Sequence, residues 1–127
     1  MKLHVDLKER GYDIVLQRGV LKKLASEINV ERNVLLVSDS KVPKQWIDLI
    51  ASHCPHCIVK IVASGEESKS FAVWEELLAC MLEHHFLRSD LVIALGGGVV
   101  GDLAGFAASC YMRGIDFVNI PTTTLSQ

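Results

Sequence analysis

The chain has 127 residues, of which 50% are hydrophobic and 22% charged, enough for one globular domain with a buried core. A net charge of −2, with no basic run interleaved with aromatics, gives no nucleic-acid footprint, and no apolar run reaches the ~18 residues of a membrane span. The start, Met1 to Asp6, lacks a signal-peptide core, and the four cysteines lack a disulfide-framework spacing, so a reducing cytoplasm is the expected compartment.

Leu3 to Leu7 and Tyr12 to Gln17 alternate apolar with polar residues. With Glu9-Arg10-Gly11 between them they predict an N-terminal hairpin or antiparallel edge. A helix is expected over 20–28, with Leu21, Leu24, Ala25 and Ile28 on one face. Asn33 to Val37 reads as a buried strand ending in Ser38-Asp39-Ser40. A helix follows over 43–52, with Pro43 suited to its first turn and Trp46, Ile47, Leu49 and Ile50 as its apolar positions. Ile58 to Val62 is a strand and Ala63 to Ser70 a polar loop. Phe71, Trp74, Leu78, Met81 and Leu82 form the stripe of a helix over 71–85, with Glu75 and Glu76 early in it. Asp90 to Leu95 is a central strand, Gly96-Gly-Gly-Val-Val-Gly-Asp102 a glycine-rich turn, and 103–112 a helix of small residues stopped by Gly114. Asp116 to Ile120 is the last strand. Strands and helices alternating from Asn33 predict an α/β, Rossmann-like, doubly wound, mostly parallel sheet. The chain stops soon after a strand that would normally lead into another crossover, so it reads as the front part of a longer protein.

In such sheets ligands bind beyond the carboxyl ends of the strands. Four polar or glycine-rich stretches are expected there: Asp39-Ser-Lys41, Gly65 to Lys69, Gly96 to Asp102 and Thr122-Thr123. Bare backbone and helix-opening N–H groups at the glycine turn suit an anion, although a ligand-free tight turn would have the same composition. Apolar neighbours imply that Asp102 is buried, either capping the helix or facing a ligand. Arg113, at a helix end, suits the dipole or an anionic substrate.

Cys54-Pro55-His56-Cys57 has the spacing of a redox dithiol, but it precedes a strand instead of opening a helix. Nor does it have a distant second pair to complete a zinc site. A solvated connector is the expectation. Cys80 and Cys110 are expected in the core, and His84-His85 at a helix end.

Gly96 to Ser109, Tyr111-Met-Arg-Gly114 and Ile120-Pro-Thr-Thr-Thr-Leu-Ser-Gln127 resemble 3-dehydroquinate synthase. Gly65-Glu-Glu-Ser-Lys-Ser70 and Ser38-Asp39-Ser40 fit the same family in the same order. The resemblance covers the whole chain, and Leu95 to Gln127 is its most specific block. It implies an NAD-binding domain over 1–127, part of an enzyme of aromatic amino acid biosynthesis. That enzyme converts 3-deoxy-D-arabino-heptulosonate 7-phosphate to 3-dehydroquinate and phosphate, with NAD regenerated in each turnover. The same domain of a sugar-phosphate cyclase or of a metal-dependent alcohol or glycerol dehydrogenase is the alternative. A non-catalytic nucleotide-binding module is a second.

The resemblance further implies that Asp39, Glu66 and Lys69 contact the adenosine end of NAD, and that Gly97, Gly98 and Val99 lie along its pyrophosphate. Asp102 would hold the nicotinamide side, with Thr122 and Thr123 completing the cleft. Arg113 would reach the substrate phosphate from a neighbouring subunit of a homodimer. Lys41 stands where many members have a neutral residue. The family's zinc or cobalt ligands lie in a helical domain that would follow Gln127, so no metal ligand is assigned here, and the chain alone is expected not to turn over substrate.

Overall fold

The computed structural model describes residues 2–4, 28–65, 67 and 69–122. Five strands form one sheet: β1 (Lys2–His4), β2 (Asn33–Asp39), β3 (His56–Val62), β4 (Leu91–Gly96) and β5 (Asp116–Pro121). Three helices connect them: α1 (Lys44–Ala51), α2 (Phe71–Glu83) and α3 (Gly98–Cys110). The sheet order is β1-β5-β4-β2-β3, and every described pairing is parallel. The expected α/β doubly wound architecture is therefore present.

Lys2–His4 runs parallel to β5, with Lys2 opposite Phe117 and His4 opposite Asn119. The second hairpin strand at 12–17 and the helix over 20–27 lie outside the described residues.

β2 and β4 sit at the centre because their sequences allow it. Val34 to Val37 and Leu91 to Leu95 are wholly buried, as continuous apolar runs must be when both sheet faces are covered. Alternate residues supply two cores. Val34, Leu36, Leu91, Ile93 and Leu95 meet Ile47 and Ile50 of α1 on one face. Leu35, Val37, Val92 and Ala94 meet α2 and α3 on the other. The chain thus winds to opposite sides from β2 and β4, which are neighbours, and the crevice between their carboxyl ends is the topological switch point.

The amino ends of the central strands are tied together. Asp90 is buried and accepts the N–H groups of Leu87 (2.7 Å) and Asn33 (3.0 Å). Arg32 donates to the Ser89 carbonyl at 2.6 Å and pairs with Asp116 at 2.9 Å. One cluster thereby fixes where β2, β4 and β5 begin.

Several helix details differ from the sequence expectations. α3 starts at Gly98, well before residue 103, so Gly97 is its N-cap and the glycine turn is short. Pro43 is the N-cap of α1, just outside the helix. Glu75 and Glu76 fall beyond the first turn of α2. Leu77, Cys80 and Met81 are the buried face of α2, whereas Phe71 (71%) and Leu82 (66%) are exposed. Cys110 is exposed too, not packed in the core, while Cys80 is buried as expected. His84 follows α2 as its C-cap, its ring against the Cys80 carbonyl at 2.9 Å.

Candidate dinucleotide site

Asp39 ends β2 and Gly96 ends β4, two residues beyond the paired positions Val37 and Ala94. The side chain of Asp39 leans over Gly96. A Cβ at Gly96 would come within 3.3 Å of Asp39 Oδ2 and 3.0 Å of Val100 Cγ2. Glycine is therefore required there by crowding, not by an unusual φ. Asp39 Oδ1 accepts the Lys41 N–H at 2.8 Å, which fixes the carboxylate in an Asx-type turn. Below it Ser38 is buried and donates to the Leu95 carbonyl at 2.6 Å, locking the two strand ends together.

The next turn opens α3. The Gly101 N–H reaches back to the Gly97 carbonyl at 3.1 Å, the first helical bond. The N–H groups of Gly98, Val99 and Val100 precede it and have no acceptor within the helix, and Gly97 has no side chain to cap them. A Cβ at Gly98 would meet nothing within 4 Å, so open space lies over this backbone. Gly101 differs: a Cβ there would stand 3.0 Å from Asn119 Oδ1, so it is a packing glycine between α3 and β5.

A cavity of about 450 Å³ occupies the crevice, within the size range of small-molecule sites. Asp39 and Lys41 line one side, Gly97, Gly98 and Val99 the other, with Thr122 between and Gly65 and Ser64 from the loop after β3. Thr122 is held by its N–H to the Gly96 carbonyl at 2.8 Å. Val42, Pro43 and Trp46 give the cavity an apolar wall. The sequence places Trp46 among the apolar positions of this helix. It is half-buried in the first turn of α1, where a residue can serve both core and cavity.

Asp102 is corrected more sharply. Its side chain is 64% exposed, and it pairs with Lys69 at 3.1 Å. The helix starts four residues earlier, so Asp102 caps nothing. Lys69 and Asp102 do not line the larger cavity. They border a smaller hollow of about 220 Å³, with Ser70, Phe71, Trp74, Leu103 and Phe106. Trp74 lies between Phe71 and Phe106, with ring centroids 4.8 and 5.2 Å away. Its buried Nε1 has no hydrogen-bond partner among the described residues.

Arg113 is elsewhere. α3 carries the chain about 20 Å along the sheet at ~1.5 Å per residue, so Arg113 lies near the amino ends of the strands, far from the cavity. It is exposed, in a single 3-10 turn where Met112 (φ 46), Arg113 (φ 66) and Gly114 (φ 113) are all left-handed. Glu66 and Thr123 lie outside the described residues.

A doubly wound parallel sheet with its cavity at the switch point defines the class: an α/β domain of the kind that takes nucleotides beyond its strand ends. Within that class, the sequence model of the family described as "3-dehydroquinate synthase N-terminal" matches residues 59–127, and the chain belongs to this family. It is 40% identical to the 3-dehydroquinate synthase of Clostridium botulinum (strain Alaska E43 / Type E3), over 99% of this chain and 38% of that one. It is 43% identical to that of Rhodopseudomonas palustris (strain BisA53), over 98% and 35%. The chain thus spans a little over a third of the length of these curated relatives.

Among solved structures, 2-deoxy-scyllo-inosose synthase complexed with carbaglucose-6-phosphate, NAD+ and Co2+ superposes with a TM-score of 0.75 at 24% identity, covering 95% of this chain and 32% of that one. The 2-epi-5-epi-valiolone synthase ValA from Streptomyces hygroscopicus subsp. jinggangensis 5008, with NAD+ and Zn2+ bound, gives 0.71 at 25%, covering 97% and 33%.

Proposed function

We propose that residues 1–127 are the NAD-binding part of a 3-dehydroquinate synthase, an enzyme that converts 3-deoxy-D-arabino-heptulosonate 7-phosphate to 3-dehydroquinate and phosphate. The observation that carries this reading is the open space over Gly98 in a cavity between Asp39 and the start of α3, in a chain of this family. ValA, 25% identical, was solved with NAD+, which supports the choice of dinucleotide. When bound, NAD would supply a transient hydride acceptor.

This chain's residues bind and orient. Asp39 keeps Oδ2 available while Oδ1 holds the Lys41 N–H, and a carboxylate at a strand end beside the glycine turn suits ribose hydroxyls. The N–H groups of Gly98 and Val99 suit the pyrophosphate, backed by the positive end of the α3 dipole. Thr122 closes the floor. Glu66 serves the adenosine side and Thr123 the cleft, whereas Lys69 and Asp102, joined at 3.1 Å beside the smaller hollow, can serve only one and the same end of the cofactor. Arg113, on the far side of the domain, serves the substrate phosphate of a neighbouring subunit in a homodimer. The described residues contain no group of three or more His, Cys, Asp or Glu side chains able to hold a metal, and the zinc or cobalt of the parent enzyme has no ligands assigned here. No described helix is long and apolar enough to cross a membrane. The biosynthetic reaction proposed here supports a place in the cytoplasm.

Calorimetric titration of the folded protein with NAD tests the reading, with AMP as the half-ligand control. Saturable NAD binding, weakened at least about tenfold by Asp39→Ala, is expected, because the lost hydroxyl contacts are charge-assisted. Absence of NAD binding by a protein that melts cooperatively would overturn it.

A further inference from the structure

The Cys-Pro-His-Cys stretch lies away from the cavity, and nothing described above uses it. Cys54 follows the last turn of α1. It is not a solvated connector: its side chain is 5% exposed and extends the Ile47–Ile50 face into the core. Cys57 is the second residue of β3, opposite Val34, and is half-buried against the same core. β3 is an edge strand of the sheet, so Cys57 keeps access to solvent that Cys54 lacks. Both cysteines are free. The Cys54 thiol donates to the Ile50 carbonyl at 3.5 Å, and the two cysteine side chains, three residues apart in the chain, pack into the same core.

We propose that Cys54 and Cys57 are a redox-active dithiol, converted to an intramolecular disulfide by exchange with a small-molecule disulfide of the glutathione type. The context differs from that of a dithiol at a helix start, where the dipole activates the thiol. Here the activating group is the neighbouring thiol. Its hydrogen bond lowers the pKa of Cys57, against the upward push of burial and with help from the Leu36 backbone. The same contact raises the pKa of Cys54, as do its burial and the Cys57 charge. The roles divide accordingly: the half-exposed Cys57 attacks and the buried Cys54 resolves.

The Cys57 thiolate forms a bond to one sulfur of the glutathione disulfide. The S–S bond breaks, and one glutathione thiolate leaves and takes up a proton. Cys54 then attacks the Cys57 sulfur as its proton passes to the departing glutathione sulfur. The second glutathione leaves as a thiol. Two electrons pass from the protein dithiol to the small disulfide, giving one protein disulfide and two glutathione thiols. Ring closure is favoured over a lasting adduct because the buried Cys54 is held beside Cys57 and has no room for a glutathione of its own.

The test incubates the reduced, folded protein in glutathione buffers of graded oxidised fraction, quenches in acid and alkylates the remaining thiols. The tryptic peptide Gln45–Lys60 holds both cysteines, and the exposed Cys110 serves as an internal control. The expected result is a Gln45–Lys60 peptide lighter by two hydrogens and without alkyl groups. Cys54→Ala should trap glutathione on Cys57, whereas Cys57→Ala should leave Cys54 as a free thiol. Two outcomes would overturn the proposal in the unmutated protein, whatever the variants do. One is a doubly alkylated Gln45–Lys60 peptide after Cys110 has formed its adduct. The other is a lasting glutathione adduct with no ring.

Discussion

At the amino ends of the strands, Arg32, Asp90 and Asp116 are satisfied by one another and by backbone, whereas at the carboxyl ends Asp39, Thr122 and the start of α3 leave hydrogen-bonding capacity facing a cavity. Both ends are polar, since a parallel strand needs somewhere to place its terminal N–H and C=O groups. The difference is in where the partners come from. At the amino ends they are supplied internally, which stabilises the fold. At the carboxyl ends they are left for a ligand, which adds little stability. Substitutions at the amino ends should change folding and leave NAD affinity alone, and those at the cavity should do the reverse.

Asp90→Ala should have the largest effect. It removes the acceptor for the Leu87 and Asn33 N–H groups in a buried setting, leaving two donors unpaired, at a cost of about 3 kcal/mol. Urea unfolding would read this as a lower midpoint. NAD affinity of the folded fraction should equal that of the parent. If Asp90→Ala weakened NAD binding tenfold without losing stability, the division between the two ends would collapse.

Gly105→Val comes next, because it tests whether a glycine of α3 outside the cavity belongs to the fold. A Cβ at Gly105 would stand 3.2 Å from Cε2 of Phe117, inside the core. Overpacking should cost about 2 kcal/mol, seen as a lower melting temperature with unchanged NAD titration.

The layout of the fold was legible in the sequence because Val34 to Val37 and Leu91 to Leu95 are continuous apolar runs with polar ends. That pattern also puts four polar or glycine-rich stretches at one edge of the sheet. The start of α3 was not legible. Gly98 and Gly101 are poor helix formers, and Val99 and Val100 are β-branched, so local propensity reads the segment as a loop. Packing on β4 and β5 overrides it. Asp102 was misread because its sequence neighbours are apolar. On the helix, Val100, Leu103, Ala104, Ala107 and Ala108 share the buried face, while Asp102 and Phe106 share the opposite one. Cys54 was misread for the converse reason: its neighbours His53 and Pro55 are polar or turn-forming, yet it lies four residues after Ile50 and continues that face.

Gly98→Val sharpens the comparison from the cavity side. The position is helical, with no left-handed φ, and a side chain there enters open space. Stability should therefore fall by no more than about 1 kcal/mol, since glycine itself is a poor helix former. A valine would fill the space proposed for the pyrophosphate and weaken NAD binding at least about tenfold, or 1.4 kcal/mol. Parent-like NAD affinity in this variant would make the turn a turn and nothing more.

Lys69→Met should have the smallest effect on stability. The Lys69–Asp102 pair joins the loop before α2 to the second turn of α3, and its two side chains are 49% and 64% exposed. Solvent and salt screen a pair this open, so its loss should cost less than about 0.5 kcal/mol. Removing the cation should still weaken NAD binding a few-fold, because it leaves the Asp102 carboxylate unpaired on the cofactor side of the domain. The loss should shrink as ionic strength rises, since screening hides the missing charge from the negatively charged pyrophosphate. Titrations of the variant and the parent at low and high salt measure this directly. Equal NAD affinities at low salt would confine Lys69 to its bond with Asp102. A drop in melting temperature as large as that of Asp90→Ala would show that the cavity end, too, is built for stability.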